Sequence, residues 1–283
     1  MTINFTKMHG IGNDYILIDS RDMERDWSKL AIAMCDRHFG IGADGILLVQ
    51  PSDVADYRMR IYNPDGSEAE ACGNGIRMFA KYLVEQGLTP PDTSEIKIQT
   101  LGAVGTVQVR RENGRINSVR ASMGRPRLKP SEIPVALKED IDVVKAYPLR
   151  VDGRELALTC ISMGNPHAVL FTGEPVDRYP LSEIGPQVEN HPFFPSRVNF
   201  EVVNVIDRKH VEVRVWERGV GETLACGSGA CAVGVAARLH DVADSPLRVS
   251  LLGGDLTIEW DGEGEVYMTG PAEYVFTGQW EES

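Results

Sequence analysis

An internal repeat constrains this chain more than any other feature. With Cys72 set on Cys226, an offset of 154 residues, Arg60 meets Arg214, Ile61 meets Val215, Tyr62 meets Trp216 and Glu68 meets Glu222. Ala71-Cys72-Gly73 meets Ala225-Cys226-Gly227, Asn74 meets Ser228, and Gly75 meets Gly229. A two-residue adjustment sets Gly12-Asn13 on Gly164-Asn165. Each half therefore reads as strand, turn, Ala-Cys-Gly-polar-Gly, helix. Solenoid units recur every 20–50 residues or so, whereas this offset is about half of the 283-residue chain. The repeat implies two domains of one fold, related by an approximate two-fold axis. Cys72 and Cys226 are then natural candidates to face each other across a cleft.

Both halves read as strand-rich. Short, β-branched and often alternating runs cover 15–19, 45–49, 57–62, 96–100, 106–110 and 116–121 in the first half. Runs at 156–161, 168–171, 199–205, 211–216, 247–251, 256–260 and 266–269 follow in the second, and turn residues bound several of them. Helical patterns are few: 29–37, 74–86 and 228–240. The last is rich in Gly and Ala, as a helix packed closely on most sides must be. Pro126, Pro130 and Pro134 mark a boundary near residues 123–135.

In Cys72-Gly73-Asn74-Gly75 and Cys226-Gly227-Ser228-Gly229 a thiol stands where a helix begins. The positive end of the helix and its unpaired N–H groups lower a thiol pKa there. The same N–H groups suit a carboxylate, and the glycines let it come close. Two such sites facing each other can invert an α-carbon. One thiolate removes the α-proton, and the other thiol returns a proton to the opposite face. The helix ends stabilise the charge that spreads onto the carboxylate.

The bulk numbers agree with a small-molecule enzyme. A net charge of −12 argues against nucleic acid as a partner. The longest apolar runs, such as 46–49, fall far below the roughly 18 residues a bilayer requires. The first seven residues lack a signal-peptide core, so a cytoplasmic location is expected. Five cysteines without C-x-x-C spacing make neither a disulfide framework nor a zinc site. Cys35, Cys160 and Cys231 read as core. No lysine motif for pyridoxal phosphate and no nucleotide loop is evident. Gly40-Ile41-Gly42-Ala43-Asp44-Gly45 precedes a strand, whereas a dinucleotide fingerprint follows one. Neither a cofactor nor a metal is expected.

These motifs resemble, in order and over nearly the whole chain, the diaminopimelate epimerase family. The likeness rests on 7–14 (Lys-Met-His-Gly-Ile-Gly-Asn-Asp), 40–45, Asn63-Pro64-Asp65-Gly66-Ser67-Glu68, Cys72-Gly73-Asn74-Gly75 and Met163-Gly164-Asn165-Pro166-His167. It continues through Arg197-Val198-Asn199, Trp216-Glu217-Arg218-Gly219 and 221–232. The residues around the cysteines set it apart from the proline racemases, which share the two-cysteine plan.

The resemblance implies an α+β fold of two pseudo-symmetric domains, each a mixed barrel-like sheet around a central helix. The first would hold 1–123 plus 271–283 with Cys72, the second 124–270 with Cys226. It also implies conversion of LL-diaminopimelate to the meso form, towards lysine and peptidoglycan precursors, without a cofactor. Cys72 and Cys226 would be the acid/base pair, with His167 and Glu217 assisting. Gly73, Asn74, Gly227 and Ser228 would hold the reacting carboxylate. Asn13, Gln50, Asn63, Asn165, Asn199, Glu217 and Arg218 would hold the rest of the substrate. The oligomeric state is open, with a homodimer one candidate.

Taken alone, these residues have plainer readings. Each cysteine can be a small buried hydrophobe. Asn13, Asn63 and Asn165 can be turn formers, and His167 a structural histidine. Glu217-Arg218 can be a surface pair, and Glu68 and Glu222 charges at helix starts. A proline or hydroxyproline racemase, and a redox protein with a Cys72–Cys226 disulfide, are the rival functions.

Overall fold

The computed structural model describes residues 2–70, 72–137, 139 and 141–282. Ala71, which the repeat aligns with Ala225, lies outside the described residues, as do Met1 and Ser283 at the outer limits of the expected first domain. The chain divides into two compact units, Met1–Ser122 with Thr269–Ser283, and Met123–Met268.

The first unit opens with β1 (Thr2–Gly10) and β2 (Asn13–Asp19), then α1 (Trp27–Cys35), β3 (Ile46–Gln50), β4 (Tyr57–Tyr62) and β5 (Glu68–Ala69). It continues with α2 (Gly73–Glu85), β6 (Glu95–Gln99), β7 (Val104–Glu112) and β8 (Arg115–Ser122). β1 pairs antiparallel with β2, and β2 parallel with β3. β3 pairs antiparallel with β4, and β4 parallel with β6. β6, β7 and β8 follow as an antiparallel run.

Alternation sorts the side chains onto two faces. Tyr15, Leu17, Leu47, Val49, Met59 and Ile61 join Met78, Phe79 and Leu83 of α2 in one core. Ile16, Ile18, Ile46 and Leu48 join Trp27, Ala31 and Met34 of α1 in another. Strands buried on both faces read as continuous apolar runs, which is why β2 and β3 lack a clean alternation in sequence. α2 touches β1, β2 and β3 as well as β7 and β8, so the sheet wraps around it. Asp26 caps α1 by accepting from the Lys29 N–H at 3.1 Å.

The second unit repeats this plan. β9 (Val144–Val151), β10 (Arg154–Ser162), β11 (Pro166–Thr172), α3 (Leu181–Glu189), β12 (Asn199–Asp207), β13 (His210–Glu217) and β14 (Gly221–Thr223) lead to α4 (Gly227–Leu239). β15 (Leu247–Leu251), β16 (Gly254–Glu259) and β17 (Tyr267–Gly270) follow, and β18 (Glu273–Glu281) returns to the first unit to pair antiparallel with β1. The sequence β10–β11 antiparallel, β11–β12 parallel, β12–β13 antiparallel, β13–β15 parallel and β15–β16 antiparallel copies that of β1, β2, β3, β4, β6 and β7. α3 packs on one face with Leu170, Phe200 and Val202. α4 touches β10, β11, β12, β15 and β16. The α+β architecture, with one plan of strand pairings repeated in the two units, is the one expected.

Five strands and one helix depart from the sequence reading. β1, β9 and β18, and the short β5 and β14, were not anticipated. α3 carries Gly185 and Pro186 in its nine residues, a pattern that argues against a helix. Gly185 is there because a Cβ would lie 2.6 Å from the Trp216 ring.

Candidate active site

Both motif cysteines are helix N-caps. Cys72 has extended backbone (φ −144°, ψ 114°) and its sulfur accepts the Gly75 N–H at 3.2 Å. Cys226 matches it (φ −122°, ψ 110°), accepting the Gly229 N–H at 3.3 Å. α2 and α4 therefore begin one residue earlier than the sequence suggests, at Gly73 and Gly227. The first-turn N–H groups of Gly73, Asn74, Gly227 and Ser228 are among those that helix geometry leaves without an intrahelical acceptor. Gly75 and Gly229 let the sulfurs approach, since a Cβ there would lie 3.4 and 3.2 Å from them.

The hairpins that lead into both cysteines are clamped alike. Arg60 forks onto Glu68 at 2.8 and 2.8 Å across β4–β5. Arg214 forks onto Glu222 at 2.7 and 3.0 Å across β13–β14. The duplicated Arg and Glu of the repeat are thus bidentate partners, and Glu68 and Glu222 are not simply charges at helix starts.

In the first unit Asn13 stands at the head of β2, on the face that carries Tyr15 and Leu17 towards α2. Its Oδ1 is 3.7 Å from the Cys72 sulfur and accepts from the Asn74 amide at 3.3 Å. Its Nδ2 donates to Asp44 at 2.7 Å, and Arg37 donates to Asp44 at 2.7 Å. Lys7 and Arg37 pair with Asp14 next to it. Burial raises the Asp14 carboxyl, but the bonds from Arg37 and Lys7 outweigh this and hold it below the ordinary carboxylate value. Asn63 follows β4 at the same end, where Tyr62 pairs with Ile46, and donates to Ser67 at 2.9 Å.

Gln50 is a correction. It pairs with Arg58 at the far end of β3, roughly 15 Å along the strand from Gly45 at ~3.3 Å per residue. A strand carries residues at its two ends away from each other, so Gln50 does not join Asn13 and Cys72.

In the second unit the expected residues form a connected cluster. Asn165 donates to Ser228 Oγ at 3.3 Å, and its Oδ1 meets His167 Nε2 at 3.0 Å. Asn199 donates to the Pro166 carbonyl at 2.9 Å and accepts the Arg218 N–H at 2.9 Å. The Arg218 guanidinium donates to the Ser196 carbonyl at 3.0 Å. Thr223 donates to Glu217. Burial pushes the Glu217 carboxyl up, against hydrogen bonds from Thr223 and Cys226.

Cys226 corrects the expectation of a lowered thiol. It is 6% exposed. Burial first, then the Glu217 and Glu201 carboxylates, push it well above the ordinary thiol value, and the Ser228 and Gly229 hydrogen bonds do not compensate. Desolvation of an anion and two nearby negative groups outweigh one helix end. Cys35 and Cys160 are buried, and burial pushes Cys35 up to about 12 and Cys160 further. Cys231 is buried in α4.

Sequence reasoning missed Glu201. This fully buried carboxylate lies 2.7 Å from His167 Nδ1. The sequence offers only a charged residue between Phe200 and Val202, two positions from Asn199 and so on the same face, with nothing to name its partner. Asp44 was also missed as a site residue, although it lies in a motif singled out above.

The sequence model of the family described as diaminopimelate epimerase matches residues 5–129 and 159–275. The diaminopimelate epimerase of Acetivibrio thermocellus is 49% identical over 279 residues, covering 98% of each chain. That of Halothermothrix orenii is 47% identical over 282 residues, covering 99% of this chain and 98% of the relative. Among solved structures, a Bacillus anthracis phenazine biosynthesis protein of the PhzF family superposes with a TM-score of 0.72 over 100% of both chains at 18% identity.

Proposed function

The chain belongs to the diaminopimelate epimerase family, and on that premise we propose how its residues convert LL-diaminopimelate to the meso form. The activity serves lysine and peptidoglycan precursor synthesis. One observation carries the mechanism: each half of a duplicated fold presents a cysteine as the N-cap of its central helix, beside first-turn N–H groups.

Cys72 and Cys226 are the acid/base pair. One sulfur takes the α-hydrogen as a proton, and the C–H electron pair stays on carbon and spreads into the carboxylate. The N–H groups of Gly73, Asn74, Gly227 and Ser228 stabilise that charge. The other thiol gives its proton to the opposite face, so the carbon inverts and the two sulfurs exchange protonation states. At rest Cys226 is the proton donor, because burial and two carboxylates keep its proton on. Glu217 and His167 assist the pair. Asn13, Asn63, Asn165, Asn199, Glu217 and Arg218 hold the substrate's ammonium and carboxylate groups, with Arg218 suited to the distal carboxylate. The reaction so written uses no cofactor. The sequence-based division, 1–123 with 271–283 and 124–270, gives each domain one of the two acid/base cysteines.

Among the described residues no helix is long and apolar enough to cross a membrane. We place the enzyme in the cytoplasm with a small-molecule substrate and no nucleic-acid partner. A homodimer is its candidate assembly, tested by sedimentation. The substrate is tested by α-hydrogen exchange in deuterated water with LL-diaminopimelate and L-proline side by side. Exchange of diaminopimelate is expected, and exchange of proline alone would overturn the reading.

A further inference from the structure

Glu201 enters the mechanism above only through its charge on Cys226, yet it is fully buried and hydrogen-bonded beside that half-site. The Glu201 residue and its partner His167 are both fully buried. Alternation along β12 sends Phe200 and Val202 to the α3 core and Glu201 to the opposite face, with Asn199. There it meets the start of α4. A Cβ on Gly229 would lie 2.8 Å from Glu201 Oε1, so only glycine leaves the carboxylate room. Glu201 Oε1 holds His167 Nδ1 at 2.7 Å, and the ring's Nε2 meets Asn165 Oδ1 at 3.0 Å. The Asn165 amide donates to Ser228 Oγ at 3.3 Å, which lies 3.5 Å from the Cys226 sulfur. A continuous chain thus runs from a buried carboxylate to the thiol.

The first unit supplies a parallel. Asn13, the repeat partner of Asn165, is also held by a carboxylate, Asp44, and also reaches its cysteine. There the anchor is direct. In the second unit an imidazole stands between.

We propose that Glu201 is a positioning residue for the Cys226 half-site. It fixes the His167 ring by Nδ1, and so fixes the rotamers of Asn165 and Ser228 that orient the thiol. It does so as a hydrogen-bond acceptor. A ring held at one nitrogen presents the other in a set direction, and the Asn165 amide, with a partner at each end, cannot flip without losing both. Glu201 Oε2 has no hydrogen-bond partner among the described residues, so Oε1 carries the contact. Cys160, Glu217 and Cys226 are the other titratable groups whose ionisation Glu201 influences.

This inference rests on Cys226 being an acid/base group, and the two can fail separately. Glu201→Leu removes the acceptor and leaves a buried imidazole N–H unpaired. It is expected to lower kcat about tenfold to a hundredfold, with KM within about threefold. Glu201→Gln keeps an acceptor and is expected to retain kcat within about threefold. Equal losses in both variants, or no loss in Glu201→Leu, overturn the proposal. Should Glu201→Leu not fold, ¹⁵N resonances of His167 in the unsubstituted protein decide. Protons on both Nδ1, bonded to Glu201, and Nε2, bonded to Asn165 Oδ1, are expected, and a ring protonated on Nε2 alone overturns the proposal. A Cys226→Ser protein at the full rate would instead sink the acid/base reading, whatever Glu201 does.

Discussion

At the scale of single residues, burial and neighbouring charge count for more at Cys226 than the helix start its motif provides. Cys226 is surrounded by carboxylates, and Glu217 is one of the groups that push its thiol up. Glu217→Gln removes that charge, so the pH–rate limb governed by Cys226 should move to lower pH while the maximal rate falls. A limb that stays in place, or moves up, contradicts this assignment. Asp14 gives a second, opposite test. Its carboxyl is held below the ordinary value by Arg37 and Lys7, so the native state favours the ionised form. That stability is complete above the unfolded value of about 3.9 and is lost as pH falls through the native value. Asp14→Asn should therefore be less stable than the parent at neutral pH, and the gap in melting temperature should close in acid. A gap that persists unchanged in acid contradicts the pairing. Asn13, Asn165, His167, Asn199 and Arg218 could be named as candidates from the sequence because they stand in short motifs. Glu201 could not, since one glutamate in an apolar strand declares its partner only when β11 and β12 are set side by side. Gln50 misled because a polar residue at a strand end carries no mark of which end faces the site.

At the scale of elements, composition spoke most clearly for α4. Its small residues foretold close packing, and Gly234 shows the reason: a Cβ there would lie 2.5 Å from Ile258 Cγ2 on β16. Gly234→Ala should cost ~1–3 kcal/mol by overpacking, read by chemical denaturation. Ile258→Ala in the same chain should recover part of that loss. A neutral Gly234→Ala, or a double variant weaker than the two single losses added together, would contradict the contact. The elements that escaped the sequence have specific causes. Pro148 inside β9 demotes the run as a strand. Gly185 and Pro186 disguise α3. β1 and β18 find each other across almost the whole chain, Thr2 opposite Glu281, a pairing that no local pattern encodes.

At the scale of the whole molecule, duplication organises everything else. The repeat was visible around the cysteines, where function holds the residues alike. It is invisible in the sheets, where any β-branched residue serves, and only the matching series of parallel and antiparallel pairings reveals it there. The two halves then diverge in how they hold their cysteines. Asn13 is anchored to a carboxylate directly, whereas Asn165 is anchored through His167. The claim that one such cysteine from each half forms a single acid/base pair is tested most directly by α-hydrogen exchange of LL-diaminopimelate in deuterated water, with Cys72→Ala and Cys226→Ala compared. Each folded variant should lose epimerisation by about 10²–10⁴-fold, the contribution of a positioned acid or base. Either variant forming the meso product at the rate of the unsubstituted enzyme would contradict the account.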